Sequence, residues 1–510
     1  MRRLPVVKYE AEGDAAVFPR RTVPGVGSAP TRAALQKTVC KKRTAMYIAS
    51  LHLRNFGQFA DLKIPFWPDD KDGPRVTVLI GENGSGKSTL VDGATTLLSW
   101  LVARIRSDKG TGSPIEELRI RNGSSEAEVT LSLIHEETRY DWSLARARKG
   151  HRRQTESRLK PVTALAEMFR GRLSDDSEAS LPLIAYYPTE RYVLDIPRKI
   201  RTRHQFRQVD GYDASLTQGI DFRRFFEWFR DREDNRNEGL ANIAELIAYL
   251  DMNKIRQHSS LSVPKERVVD FLDIEKIRRE KPALAAQIAD PQYFAVLEAI
   301  AAFMPGYDNL HIQRRPRMRM LINKGKEELD ILQLSQGERS LLALVGDIAR
   351  RLAMMNPQAE KPLHGKGIVL IDEVDLHLHP RWQRTVIRRL RKTFPNCHFI
   401  LTTHSPLVIS DPQHIRVLRL QNGDVRESGN LYGMDLDELL LGVMDTDIRD
   451  PELQERLDSL LDAIQQRDYE KAARLRRELL QDLPPDHREL ARADMYLRRQ
   501  KALDAKNHQG

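Results

Sequence analysis

The chain has 510 residues, 40% of them hydrophobic and 30% charged, with a net charge of +10. That length allows two or more domains, or one core interrupted by a large insertion, and the balance is that of a soluble globular protein with no run approaching a membrane span. Its two cysteines, Cys40 and Cys397, form no C-x-x-C pair, which excludes a disulfide framework or cysteine zinc site and implies a reducing, cytoplasmic setting.

Residues 1–45 mix Pro, Gly, Arg and Lys without an apolar core, which argues against a secretory signal. They are expected to be disordered, or an extension upstream of a true start at Met46. From there Ile48, Leu51 and Leu53 mark a strand, and Leu62, Ile64 and Phe66 alternate in a second. Val76–Ile80 form a third, apolar throughout, the pattern of a buried parallel strand.

This third strand runs into Gly81, Glu82, Asn83, Gly84, Ser85, Gly86, Lys87, Ser88 and Thr89, which match G-x-x-x-x-G-K-[ST] without a gap. Backbone N–H groups must point inward around a di- or triphosphate, and Gly81, Gly84 and Gly86 give the freedom and close approach this needs. Lys87 adds charge at the outer phosphates, Ser88 a hydroxyl for Mg2+, and the following helix turns its positive end toward them.

The predicted helix Leu90–Ile105 carries Leu97, Leu98, Leu101 and Val102 on its apolar face. Val129, Leu131 and Leu133 against Tyr140, Trp142 and Leu144, joined through His135–Thr138, read as a hairpin. Residues 145–180 are basic and polar and read as a surface excursion. A short strand at 183–191 holds Tyr186 and Tyr187 as packing residues. The basic run 197–209, with Phe206 interleaved, reads as a solvated loop, and helical signals dominate from Asp221 to Phe303, with Phe225, Phe226 and Trp228 packing a helical lobe. Beyond Pro305 and Gly306, short strand patterns recur around Leu310 and Ile312, at Met318–Ile322 and around Leu329 and Ile331.

Those strands lead into LSQGERS, Leu334–Ser340. Ser335 and Glu338, three apart ahead of the helix Leu341–Leu352, form a capping box; the same helix start, with Ser335 and Gly337 exposed, also offers N–H groups to a phosphate. The motif alone leaves both readings open. In Gly367–Pro380, a run of apolar residues ends in Asp372 and Glu373, a pairing in which the first carboxylate holds Mg2+ and the second deprotonates an attacking water. A matching strand, HFILTTHSP, ends in His404, placed to contact a terminal phosphate. His377 and His379 form an H-x-H pair without a third ligand nearby and read as structural.

Taken in order, GENGSGKST, LSQGERS, LIDEVD and TTHSP resemble the Walker A, signature, Walker B with D-loop, and H-loop of the ABC-type ATPase heads of chromosome-maintenance, recombination and repair ATPases. The resemblance implies an α/β fold, an ABC-type P-loop ATPase head with a mixed sheet, a helical insertion and a helical C-terminal tail. ATP and Mg2+ would be sandwiched between two protomers, in a head-to-head dimer or an assembly of dimers. Ser335, Gln336, Gly337 and Glu338 of one protomer would face the triphosphate held by Lys87 of the other. Ser88 and Asp372 would hold Mg2+, Glu373 would be the general base, His404 would support the terminal phosphate, and Asp375 would be the D-loop residue. Arg54 and Asn55 would lie near the base and phosphates. No Q-loop glutamine is evident, and LIAYYPTER stands where one is expected.

Between Lys87 and Ser335 there is no long heptad region and no C-x-x-C hook, which disfavours a long-armed DNA-tethering ATPase. FFEWFRDRED at 225–234 and LYGMDLDELL at 431–440 resemble the PtuA-like ATPase subunits of Septu and retron anti-phage systems. That implies a sensor or regulatory ATPase controlling an HNH endonuclease partner, PtuB-like, with nucleic acid or a retron reverse transcriptase and its DNA as further partners. The expected domains are 46–190 and 306–425 for the two halves of the head, 191–305 for the insertion and 426–510 for the tail. Two other readings compete: a RecF-type repair ATPase acting on DNA without a nuclease partner, and a nuclease of the overcoming-lysogenization-defect type. The latter needs a cluster of acidic residues after His404, for which Asp445 and Asp447 are the only candidates.

Overall fold

Alternating apolar residues build the first layer of the computed structural model, which describes residues 46–67, 76–189, 206–217, 220–255, 289–429, 431–444 and 450–507, with 243–255 and 504–507 as backbone alone. The expectations for residues 1–45, most of the basic run 197–209, the end of the strand at 183–191, the middle of the helical insertion, and Asp445 and Asp447 lie outside the described residues. Strands β1 (Met46–Phe56), β2 (Phe59–Pro65), β4 (Glu126–His135) and β5 (Thr138–Ala147) pair antiparallel in the order β2-β1-β4-β5. The expected hairpin is β4–β5, with Leu131 opposite Trp142 and Leu133 opposite Tyr140. Glu136 and Glu137 turn it at φ 49° and 68°, the left-handed pair that matches the twist of a two-residue hairpin.

The second layer is a six-stranded sheet of β3 (Val76–Ile80), β6 (Leu183–Tyr187), β10 (Gly367–Ile371), β11 (Cys397–Thr402), β12 (Arg416–Gln421) and β13 (Asp424–Ser428), in the order β13-β12-β3-β11-β10-β6. All pairs are parallel except β12 with β13. Every residue of β3, β10 and β11 is buried, as expected of strands covered on both faces. Helix α1 (Lys87–Arg106) buries Leu97, Leu98 and Leu101, and the buried Trp142 Nε1 donates to its Leu97 carbonyl at 3.2 Å. The antiparallel sheet is thereby tied to the helix that leaves the phosphate loop.

Residues 145–180 are not a surface excursion throughout. Residues 160–175 form α2 (Lys160–Asp175), which buries Val162, Leu165, Ala166 and Phe169. Their i, i+3, i+4, i+7 spacing is a complete helical face, masked in composition by the basic residues around it.

The insertion supplies α3 (Phe222–Ile255) and α4 (Pro291–Phe303). Phe225, Phe226 and Trp228 are fully buried, and their core is continuous with that of both sheets. They pack on α5 (Gln336–Met355), where a Cβ added to Gly346 would lie 2.9 Å from the Phe225 ring. The short strands β7 (Tyr307–Gln313), β8 (Arg319–Lys324) and β9 (Glu327–Asp330) form an antiparallel sheet ahead of α5. After α6 (Pro380–Thr393), α7 (Pro406–Ser410) and α8 (Leu436–Gly442), the tail folds as α9 (Pro451–Gln465), α10 (Tyr469–Asp482) and α11 (Arg488–Asn507) around a small core of its own, including Leu457, Leu460, Ile464, Leu479 and Leu490. No described helix is long and apolar enough to cross a membrane.

Candidate active site

Parallel pairing brings the carboxyl ends of β3, β10, β11 and β6 to one edge, the place where open α/β sheets bind ligands. At the end of β3, Gly81, Gly84 and Gly86 have φ of 152°, 79° and 98°. Gly86 also has no room for a side chain, since a Cβ would sit 2.4 Å from the Phe59 ring. The buried Lys87 Nζ folds back over the loop and donates to the Gly81 and Glu82 carbonyls, each at 2.9 Å. Ser85 Oγ is buried without a hydrogen-bond partner. A cation held over the loop, a buried hydroxyl awaiting an acceptor and the N–H groups of a helix start form a cradle for phosphate oxygens.

The end of β10 meets this cradle. Ser88 Oγ donates to Asp372 Oδ2 at 2.8 Å, Thr189 Oγ1 just beyond β6 donates to the same oxygen at 3.3 Å, and Thr402 at the end of β11 donates to Asp372 Oδ1. Asp372, 4% exposed, thus accepts three hydroxyls on its two oxygens beside the Lys87 side chain. Together with the Ser88 hydroxyl it fits the oxygen chemistry of Mg2+.

Glu373 follows at φ 46°, a left-handed conformation that costs a non-glycine residue about 1–3 kcal/mol and concentrates at functional sites. Its N–H donates to Thr402 Oγ1 at 2.7 Å, so one threonine anchors both neighbours. A second threonine repeats the arrangement: Thr403 Oγ1 donates to Asp375 Oδ1 and accepts from the Ser405 N–H at 3.0 Å. Burial lowers the Lys87 pKa, against the charges of Asp372, Glu373 and Asp375. Burial and then the Lys87 charge lower that of His404, again against the three carboxylates. These groups share one electrostatic site.

The signature segment has a role within the chain. Ser335 caps α5 in a reciprocal box with Glu338, whose carboxylate also accepts from Lys324 Nζ at 2.8 Å and from the Tyr307 hydroxyl. Burial would raise the Glu338 pKa, but these donors and the Ser335 N–H hold it down at about 2. Gly337 is buried, not exposed as expected from the sequence, because it lies against the D-loop backbone, where a Cβ would meet the His377 carbonyl oxygen at 2.2 Å. Gln336 opens α5 beside it.

Arg54 is engaged on the antiparallel sheet, 3.1 Å from Glu128 and 3.9 Å from Asp61, and the Asn55 carbonyl accepts from the Arg121 N–H at 2.8 Å. Gln58 contacts the phosphate loop, its Nε2 donating to the Ser85 carbonyl at 2.7 Å. His379 caps α6, its Nδ1 accepting from the Arg381 N–H at 3.3 Å. Sequence reading missed Gln58, Thr189, Thr402 and Thr403. The threonine pair ahead of His404 was the one available signal, since strand-end hydroxyls beside carboxylates orient them.

Residues 76–410 match the family model described as "AAA domain, putative AbiEii toxin, Type IV TA system", and residues 46–99 match an AAA ATPase domain. The chain is 33% identical to the Retron Ec83 probable ATPase of Escherichia coli, over 74% of this chain and 72% of that one. It is 35% identical to the Retron Vc95 probable ATPase of Vibrio cholerae serotype O1 biovar El Tor, over 71% of each. The chain belongs to the retron ATPase family. Like these ATPases it binds nucleotide and hydrolyses ATP. A shorter match, 45% identical over 14% of this chain and 10% of the relative, is to the Septu protein PtuA of Bacillus mycoides (strain KBAB4). Among solved structures, an SMC head domain from Thermotoga maritima aligns over 75% of this chain and 98% of its own, at 15% identity and a TM-score of 0.35.

Proposed function

We propose that this retron-type ATPase is the nucleotide-driven regulatory subunit of an anti-phage defence system, and that it controls a separate HNH endonuclease. The observation that carries the enzymatic half is the 2.8 Å contact between Ser88 and Asp372, which joins the phosphate loop to the carboxylate strand end. Lys87 and the N–H groups around Gly81, Gly84 and Gly86 hold the phosphates, flanked by Glu82, Asn83, Ser85 and Thr89. Ser88 and Asp372 would hold Mg2+, which when bound neutralises phosphate oxygens. Glu373 takes the proton of the attacking water, and His404, kept toward its neutral form by burial and Lys87, supports the terminal phosphate.

Ser335 and Gly337 complete the site across a head-to-head dimer, with Asp375 beside them. The match to the Septu protein PtuA supports a place in a defence system. Glu373→Gln is expected to keep ATP binding, lose hydrolysis and accumulate dimers by size-exclusion with light scattering; an unchanged hydrolysis rate removes Glu373 from its role. Affinity purification of the tagged chain from its native host, followed by mass spectrometry, tests the partner. Recovery of an HNH protein supports the defence reading, and its consistent absence moves the function toward a repair-type ATPase.

A further inference from the structure

Helix α6, which follows the D-loop directly, carries Arg381, Arg384, Arg388, Arg389, Arg391 and Lys392 and no acidic residue. Three of these are tied down: Arg384 to Asp411 at 3.3 Å, Arg389 to the Phe303 carbonyl and Arg391 to the Gln413 carbonyl. Arg381, Arg388 and Lys392 are exposed and make no ion pair with a described carboxylate. At 3.6 residues per turn they fall within about 40° of one another, opposite the buried Leu390, and span roughly 16 Å along the axis. Like charges four apart, as in Arg388 and Lys392, weaken a helix. By contrast, the partly exposed Arg456 and Arg476 of the tail helices pair with Asp482 and Asp494.

We infer that this face of α6 binds the phosphate backbone of a nucleic acid. Charge complementarity selects the occupant: duplex DNA presents one charge per about 1.7 Å of axis. A protein partner is less suited, because α6 offers no exposed large apolar side chain for an interface core. Glu298 and Glu360 line a cleft with Lys392, so Arg381 and Arg388 carry the face.

The helix is also wired to the ATP site. Gln383 Nε2 donates to the Leu378 and Asp375 carbonyls at 3.0 and 3.4 Å, and its Oε1 accepts from Ser405 Oγ at 2.9 Å. One amide thus clasps the D-loop and the residue after His404, and nucleic acid on α6 is read at the catalytic edge through Gln383.

The test measures binding of the full-length chain to labelled single-stranded DNA, duplex DNA and RNA of about 30 nucleotides by fluorescence anisotropy between 50 and 200 mM salt. The triple variant Arg381→Glu/Arg388→Glu/Lys392→Glu is expected to bind at least tenfold more weakly, with a log K against log salt slope shallower by about 2–3. Its melting temperature and its ATPase rate without nucleic acid are expected to stay at wild-type values. Lys471→Glu/Arg474→Glu/Arg477→Glu on α10, the same change in net charge, is expected to bind as wild type. No binding by wild type, an unchanged slope in the triple variant, or an equal loss in the α10 variant overturns the interface. Gln383→Leu is expected to bind nucleic acid normally while its ATPase rate no longer responds; a preserved response, or none in wild type, overturns the coupling.

Discussion

Gly337→Ala tests whether the signature segment works inside its own chain as well as across a dimer. The added methyl would lie 2.2 Å from the His377 carbonyl oxygen, where ordinary contact begins at 3.4 Å. The obstacle is backbone, so the start of α5 and the D-loop must separate by an ångström or more. Overpacking of this kind costs about 1–3 kcal/mol, and Glu338 resists the movement because Lys324, Tyr307 and Ser335 anchor it. The expected result is a lower melting temperature in the nucleotide-free protein, together with a lower hydrolysis rate because Asp375 lies on the displaced loop. Differential scanning fluorimetry without ATP, at a concentration where the chain is monomeric, separates the two roles. An unchanged melting temperature with lost hydrolysis would place the role of Gly337 at the dimer interface alone and refute the packing argument.

Asp347 is wholly buried on α5, 2.6 Å from both Arg350 and Arg351, and accepts from the Tyr187 hydroxyl at 3.0 Å. Removing it strands two guanidinium groups in the core, so Asp347→Ala should lose about 3–5 kcal/mol by urea unfolding, and Asp347→Asn should lose less. The Glu338 pKa, held at about 2 against an ordinary 4.5, makes a stability contribution that is fully present above pH 4.5 and is lost as pH falls through about 2. Lys324→Met should flatten that part of the acid unfolding curve. His404→Ala should retain nucleotide affinity in a fluorescent ATP-analogue titration and lose about 10²–10³ in turnover, the usual cost of one transition-state donor.

The phosphate loop was legible in the sequence because its glycines obey a fixed spacing dictated by backbone geometry. The β4–β5 register was legible because Val129, Leu131 and Leu133 alternate against Tyr140, Trp142 and Leu144. The Ser335–Glu338 box was visible too, but its second attachment, to Lys324 and Tyr307, depends on a sheet whose placement no local pattern encodes. Thr189 and Asp372 meet across a separation of 183 residues, through a β6–β10 pairing that apolar strands do not specify by themselves. Helix α2 was hidden for a different reason: its apolar face is complete, but Lys160, Arg170 and Arg172 dominate the composition of the stretch.

The tail makes its main apolar contacts within itself, around Leu457, Leu460, Ile464, Leu479 and Leu490. Sequence drift there carries little penalty for the catalytic strand ends. Loosening that small core is therefore expected to unfold the tail helices while the strand ends that hold Asp372, Glu373 and His404 stay in place.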